Sequence, residues 1–517
     1  MRPVCSSLLV CLVLGCGSSA NAPSDGSGAG GHPTGGAGAA GQATLPGAGG
    51  NAPGSSGGAP AAAGGGTTGG SAPTPSGGNA ATSGSAGASQ PGGGGNGQGG
   101  SAESGGAGGG SSGTNGGVAG TAGMGGSGGD DAAAEALEAL RTYLAIERDE
   151  RPVLDEQPFA SVPLDEGAAD TARDLLWDDH AAWIRETRRA EAEAKAITIG
   201  DKTLRYDFRV FGEEPASGRS LYLSLHGGGE ADPSVNDQQW ENQKTLYQPE
   251  EGIYLAPRAP TNTWNLWHEP HIDGLFTRLI ETLIVLENVD PNRVYVMGYS
   301  AGGDGVYQLA PRMADSWAAA AMMAGHPNDA KPDSLRNIGF TAHVGALDTA
   351  FDRNLVAEEW GGLLDALRAA DPEGYPHEVT VHAGKGHWMD LEDAVAVPWM
   401  AAFTRDPTPS RVVWLQDDVP HERFYWLAVP SDEAAKGTKV VATRTGQTIR
   451  VEPEGIQTLT IRLSDTFVDL DQPVTIEAGG TTLFSGTVPR TIGTLAKTLA
   501  ERGDPALVFS GEVSVEP

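Results

Sequence analysis

Ser300 stands in Gly298-Tyr-Ser-Ala-Gly302, where the β-branched and aromatic run Val294–Met297 gives way to small residues. A G-x-S-x-G in this setting marks a strand that stops, turns sharply and enters a helix with one serine at its tip. A Cβ at Gly298 or Gly302 would crowd that turn and the approaching helix. A serine hydroxyl is a weak nucleophile, so it needs a base, an acid to orient the base, and donors for a developing oxyanion. The candidate base is His387, in the glycine-flanked run Gly384-Lys-Gly-His387. His343, His377 and His382 fall in or beside strand patterns and read as packed residues, while His326, at the end of the run after the elbow, is a pocket candidate. The candidate acid is Asp348, just past Gly345; its competitor Asp352 reads more simply as a partner for the adjacent Arg353. His226-Gly227-Gly228-Gly229 offers side-chain-free N–H groups to an oxyanion. A second donor is the N–H of Ala301, at a helix start where the dipole also favours negative charge. His226 itself reads as a structural residue that positions the loop. Together these residue types can carry acyl transfer.

The elements that must hold them follow from periodicity. From Arg219 onwards, short apolar runs at 220–225, 252–256, 293–297, 317–323, 340–344 and 378–382 predict strands. Helical patterns lie between several of them, at 272–286, 303–310, 354–370 and 391–403. Continuous apolar strands separated by amphipathic helices predict a mostly parallel sheet covered on both faces. Ahead of it, 132–147 and 168–196 predict helices, and 197–211 predicts two strands around a Gly200-Asp201 turn. After Pro409 the texture changes to short strands at 411–415, 423–429, 438–443, 448–451 and 458–463, a hairpin around Gly479-Gly480, a helix at 491–501 and a last strand within 506–515. That pattern predicts a small β-rich, sandwich-like domain.

The rest of the chain speaks to location. Met1-Arg2 and the apolar run 8–14 have the length of a signal peptide and are too short to span a bilayer. Val13-Leu14-Gly15-Cys16 resembles a bacterial lipobox, which implies lipidation at Cys16 and a membrane anchor; an ordinary secretory signal is the alternative. Cys5, Cys11 and Cys16 are the chain's three cysteines, so the folded part has none for a structural disulfide. From Gly17 to Gly129 there is no Lys, Arg or aromatic residue, and such a composition cannot offset backbone entropy. It predicts a disordered tether with a reach of roughly 60 Å. The formal net charge of −32 excludes the basic footprint that a nucleic-acid partner needs. The organisation expected is thus a leader (1–16), a tether (17–130), a helical lead-in (131–196), a catalytic domain (197–408) and a β-rich domain (409–517).

On Gly-Tyr-Ser-Ala-Gly-Gly, His-Gly-Gly-Gly, Asp348 and His387, in that arrangement, the region 197–405 resembles the α/β-hydrolase superfamily. In wording it is similar to the secreted esterase, polyhydroxyalkanoate-depolymerase and feruloyl-esterase group, with prolyl-oligopeptidase-type domains as neighbours. The family order of Ser, Asp and His, each after a successive strand, implies Ser300 as nucleophile, Asp348 as acid and His387 as base. It implies a small-molecule or polymeric ester as substrate; a peptide substrate and a surface-binding role are the alternatives. No cofactor is expected, and His268 and His271 around Glu269, lacking a defined helix and further ligands, give no metal site. The chain does not disclose an oligomeric state. Loops after parallel strands line the crevice of such sheets. Trp240 (within Asn236–Trp240), Arg258, Trp264, Trp267 and His268 are therefore candidates for the pocket or its rim, with loop packing the simpler reading for any single one of the tryptophans. Asp304, one turn beyond Ser300, is a candidate for binding a substrate amine or capping nearby loops.

Overall fold

The computed structural model describes residues 127–517; the leader, Cys16 and residues 17–126 lie outside the described residues, while the last residues of the expected tether, 127–130, are the start of a helix. Helices α1 (Ser127–Leu144), α2 (Glu166–Thr187) and α3 (Arg189–Ala194) come first. The long helix expected over 168–196 is interrupted at Arg188, whose φ of −108° and ψ of 0° lie off the helical values.

Among the described residues, one eight-stranded sheet comprises β1 (Ala196–Ile199), β2 (Lys202–Phe211), β3 (Arg219–Leu225), β4 (Gly252–Arg258), β5 (Val289–Tyr299), β6 (Ala319–Met323), β7 (Gly339–Gly345) and β8 (His377–His382). Its order is β1-β2-β4-β3-β5-β6-β7-β8. The β1–β2 and β2–β4 pairings are antiparallel, and every pairing from β4 to β8 is parallel. Helices α4 (Pro233–Gln243), α5 (His271–Leu286), α6 (Ala301–Arg312), α7 (Arg353–Ala370) and α8 (Ala396–Ala401) supply the crossovers and flank. This is the mostly parallel, helix-flanked α/β sheet that the strand and helix patterns predict. Side chains alternate across the sheet, yet both sets are buried. Leu221, Leu223, Val294 and Val296 face one cluster with Leu279, Val306 and Leu364, while Tyr222, Tyr295 and Met297 face another with Val397 and Met400. Burial on both faces is why these strands read as unbroken apolar runs.

Beyond residue 409 lie β9 (Arg411–Leu415), β10 (Arg423–Phe424), β11 (Leu427–Ala428), β12 (Lys439–Thr445), β13 (Thr448–Glu454), β14 (Leu459–Leu463), β15 (Val474–Ala478), β16 (Thr481–Gly486), α9 (Ile492–Arg502) and β17 (Gly511–Val515). They form two sheets, ordered β10-β11-β14-β17 and β16-β15-β13-β12-β9. The run expected as one strand over 423–429 is split at Tyr425, which has a φ of 52°. The hydrophobic cluster of the large sheet continues into this region through Trp414, Tyr425 and Trp426. The α1–α2 pair packs its Leu140, Ala172 and Leu176 against Ile492, Leu495 and Leu499 of α9. Among the described residues, no helix is long and apolar enough to cross a membrane.

Candidate active site

Strand β5 delivers Ser300 to the carboxyl edge of the sheet, and α6 begins one residue later. Ser300 takes φ 58° and ψ −120°, a conformation that costs an L-residue of order 1–3 kcal/mol and so must be imposed by its surroundings. Two glycines allow it by close approach. A Cβ on Gly298 would lie 2.2 Å from the Gly302 carbonyl oxygen, and one on Gly302 would lie 2.2 Å from the Leu225 carbonyl oxygen. The Ser300 N–H donates to the Met323 carbonyl at 2.9 Å, which pins the turn to the end of β6.

Asp348 sits in the loop between β7 and α7, and His387 in the loop between β8 and α8. His387 Nε2 lies 2.9 Å from Ser300 Oγ, and His387 Nδ1 lies 2.7 Å from Asp348 Oδ2. With Nδ1–H donating to the carboxylate, Nε2 is free to accept the serine proton. Asp348 is buried, and its other oxygen faces the Arg353 guanidinium at 3.6 Å. Arg353 thus pairs with Asp348 and not with Asp352, which corrects the ion pair expected within that loop. Asp352 has a φ of 55°, and no ion pair to it occurs among the described residues. The pairing could not be read from adjacency because Arg353 opens α7, which turns its side chain back over the acid loop.

The glycine loop after β3 approaches Ser300 closely: a Cβ on Gly227 would lie 3.1 Å from Ser300 Cβ. His226 is fully buried and holds this loop. Its Nδ1–H donates to the Gly227 carbonyl at 2.6 Å, and its Nε2 accepts the Ala259 N–H at 3.1 Å. Burial lowers its pKa to about 3, so the ring stays neutral and keeps this tautomer. The Gly229 N–H donates to Asn236 Oδ1 at 2.8 Å, which removes Gly229 from the expected set of oxyanion donors. The N–H groups of Gly227, Gly228 and Ala301 have no acceptor among the described residues.

Several pocket candidates turn out to be struts. Arg258 is buried and donates to Asp237, to the Ala259 and Thr261 carbonyls and to Asn262, and Asn262 Oδ1 in turn accepts from Asn236. Its donors are spent on holding the glycine loop, so it is not a substrate contact. Trp267 is fully buried and donates to the His226 carbonyl at 2.8 Å, again behind the loop. Trp240 donates to the Ala256 carbonyl at 2.9 Å and lies under Lys244 Nζ, 3.7 Å from its centroid, which makes it sheet packing. His268 is buried edge-on to Trp264, and burial lowers its pKa to about 4. Trp264 remains exposed, and its carbonyl lies 3.1 Å from where a Gly229 Cβ would be, so it belongs to the rim. Asp304 accepts the His326 N–H at 2.6 Å, and the His326 ring accepts the Asn328 N–H at 2.9 Å.

Two further features went unread in the sequence. Tyr299 donates to the His387 carbonyl at 2.6 Å and accepts the Met389 N–H at 3.1 Å, so one side chain beside Ser300 clamps the loop of the base. Leu347, Phe351 and Trp388 are exposed next to Asp348, Arg353 and His387, giving an apolar margin that single-residue hydrophobicity did not flag.

No protein-family model and no curated protein matches the chain. Among solved structures it is similar to a thermostable esterase, with 21% identity over 41% of this chain and a TM-score of 0.31. The chain spans 62% of that esterase's length. It is also similar to a Bacillus cereus carboxylesterase, with 16% identity over 38% of this chain and 93% of that one, at a TM-score of 0.28. A putative dipeptidyl aminopeptidase IV from Bacteroides ovatus shows 13% identity over 39% of this chain and 33% of that one, at a TM-score of 0.30.

Proposed function

We propose that this protein is an extracytoplasmic serine hydrolase that cleaves carboxylic esters. The observation that carries the reading is the single imidazole of His387, in hydrogen-bond contact with both Ser300 Oγ and Asp348. Ser300 Oγ attacks the acyl carbon while His387 Nε2 takes its proton, and Asp348 stabilises the resulting imidazolium. The oxyanion is received by the Ala301 N–H and by the Gly227 and Gly228 N–H groups. Collapse expels the alcohol with the proton from His387 and leaves an acyl-Ser300. Water, activated by the same imidazole, then attacks that acyl group, and free acid leaves as Ser300 recovers its proton. These steps call on protein groups and water alone.

An ester is favoured over a peptide bond by what precedes the sheet. Residues 131–196 fold into helices, so the region contains no propeller of the prolyl-oligopeptidase kind. The exposed Trp264, Leu347, Phe351 and Trp388 suit an apolar or aryl ester, monomeric or polymeric. Anchorage through Cys16 is part of the proposal, and a Cys16→Ser chain should leave the membrane fraction.

In the decisive test, wild-type protein should turn over p-nitrophenyl acetate and take up a fluorophosphonate at Ser300. Ser300→Ala should lose both, with an unchanged circular-dichroism spectrum. Absence of labelling in the folded wild type would refute the catalytic reading. Cleavage of Pro-containing peptides without cleavage of any ester would refute the ester reading alone.

A further inference from the structure

Asp304 is the one carboxylate that α6 carries next to the elbow, and its N–H donates to the Ser300 carbonyl at 3.0 Å. Residues spaced this way lie about 5–6 Å apart along one helix face. The side chain points toward the end of β6, where Oδ1 accepts the His326 N–H at 2.6 Å. Its other oxygen has no partner among the described residues, although Asp304 is half-buried and the helix around it is buried. The Arg353 guanidinium acts on it electrostatically without forming an ion pair with it. Arg353 is committed to Asp348 and His387 to the Asp348–Ser300 relay. Burial pushes the Asp304 carboxyl above the usual carboxylate range. A capping role toward His326 accounts for one oxygen and would be served equally by Asn or Ser. The second oxygen is an acceptor left over one helical turn beyond the nucleophile.

We infer that Asp304 is a specificity residue whose unpaired oxygen accepts a hydrogen bond from a hydroxyl or ammonium group placed a few bonds from the scissile carbonyl. This rests on the serine-hydrolase reading of Ser300. It narrows the substrate from esters in general to esters carrying a donor close to the reacting centre. A site built to hydrogen-bond such a donor discriminates strongly against the analogue without it, because its own polar group is then left unpaired.

The test compares methyl propanoate with methyl 3-hydroxypropanoate and methyl 3-aminopropanoate, and ethyl acetate with 2-hydroxyethyl acetate, by proton release. The enzymes compared are wild type and Asp304→Asn. Asn keeps an oxygen for the His326 N–H and puts an NH₂ where the free oxygen was. Wild type should favour at least one donor-bearing ester over its plain partner by about 10-fold or more in kcat/KM. Whether the hydroxy or the amino ester shows the preference identifies the donor, and the two series identify the fragment that bears it. In Asp304→Asn that preference should vanish, while turnover of the plain esters stays within about 3-fold of wild type. Equal loss on plain and donor-bearing esters, at an unchanged Tm, would overturn the inference in favour of a loop-holding role. An unchanged preference in Asp304→Asn, or no preference in wild type, would overturn it as well. If wild type cleaves none of these esters and takes up no fluorophosphonate, it is the parent reading that fails.

Discussion

At the scale of the residue, the reactive groups depend on neighbours that do no chemistry themselves. Tyr299 is the clearest case, because its hydroxyl bridges the His387 carbonyl and the Met389 N–H and its ring stands edge-on to the His387 imidazole. Phenylalanine would keep the packing of the ring and lose both hydrogen bonds. Small displacements of a catalytic base are costly in rate because reaction needs a near-attack geometry. Tyr299→Phe should therefore lower kcat on p-nitrophenyl acetate by about 10-fold with KM within about 2-fold. A rise in KM at constant kcat would show instead that Tyr299 shapes binding. Ser300, Asp348 and His387 were legible as candidates because each is announced by local signals, a glycine-bounded turn or a position just past a strand. Tyr299, Arg353 and Asn236 were not, because their roles are defined by partners supplied by the fold. Nothing in the neighbourhood of Tyr299 in sequence indicates a loop 88 residues away. Which side of their loops Arg258 and Trp267 occupy was not legible for the converse reason. A loop after a parallel strand has an inner side as well as a rim, and periodicity does not say which side a residue faces.

At the scale of the element, α6 is what brings the site together, and it does so by being thin. Gly302 meets the end of β3 at the Leu225 carbonyl, Gly303 meets the end of β6 at the Met323 carbonyl, and Gly305 meets Trp267. Each of these contacts would fall between 2.2 and 2.6 Å from an added Cβ. The helix start, with the Ala301 N–H, is thereby pressed toward the glycine loop that follows β3. Gly302→Ala must push α6 off β3, an overpacking cost of about 1–3 kcal/mol, and should also displace Ser300 and Ala301. Its Tm should fall by several degrees, and its ester turnover should fall further than the loss of folded protein explains. Gly362→Ala on α7 is the control, since its Cβ would meet nothing within 4 Å. Alanine there should hold or raise Tm through helix propensity, by about 0.5–1 kcal/mol. A Gly302→Ala protein with wild-type Tm and rate would show that the close approach does not constrain the elbow. Strand positions were readable in this sheet because burial on both faces keeps the runs apolar. Helix ends were less so: the helix expected over 391–403 opens as a 3₁₀ turn at Glu392–Val395 and is α-helical only over Ala396–Ala401.

At the scale of the whole molecule, the texture change at Pro409 suggested a separate β-rich domain, yet the packing joins it to the catalytic sheet by more than apolar contact. Asp315, buried just after α6, accepts the Tyr425 N–H at 3.0 Å and pairs with Arg502 of α9 at 2.5 Å. Arg405 pairs with Asp504 at 2.7 Å, and its side chain is buried. His421 reaches Asp273 of α5 at 2.8 Å, and Asp273 also pairs with the buried Arg312. Breaking a buried pair by removing one partner leaves an uncompensated charge, at a cost of about 3–5 kcal/mol each. Unfolding of the two β-sheets alone would remove Arg502 from Asp315 and Asp504 from Arg405 and expose Trp426 and Tyr425, both fully buried. Losing these pairs and that apolar burial together is large against the stability of an ordinary domain, about 5–15 kcal/mol, so the terminal region and the large sheet are expected to melt as one unit. Calorimetry of residues 127–517 should accordingly show one unfolding transition, with p-nitrophenyl acetate turnover lost within it. Arg502→Ala should lower that single transition rather than split it. Two resolved transitions, with ester turnover surviving the first, would show that the residues beyond 409 fold on their own and that these buried pairs couple nothing.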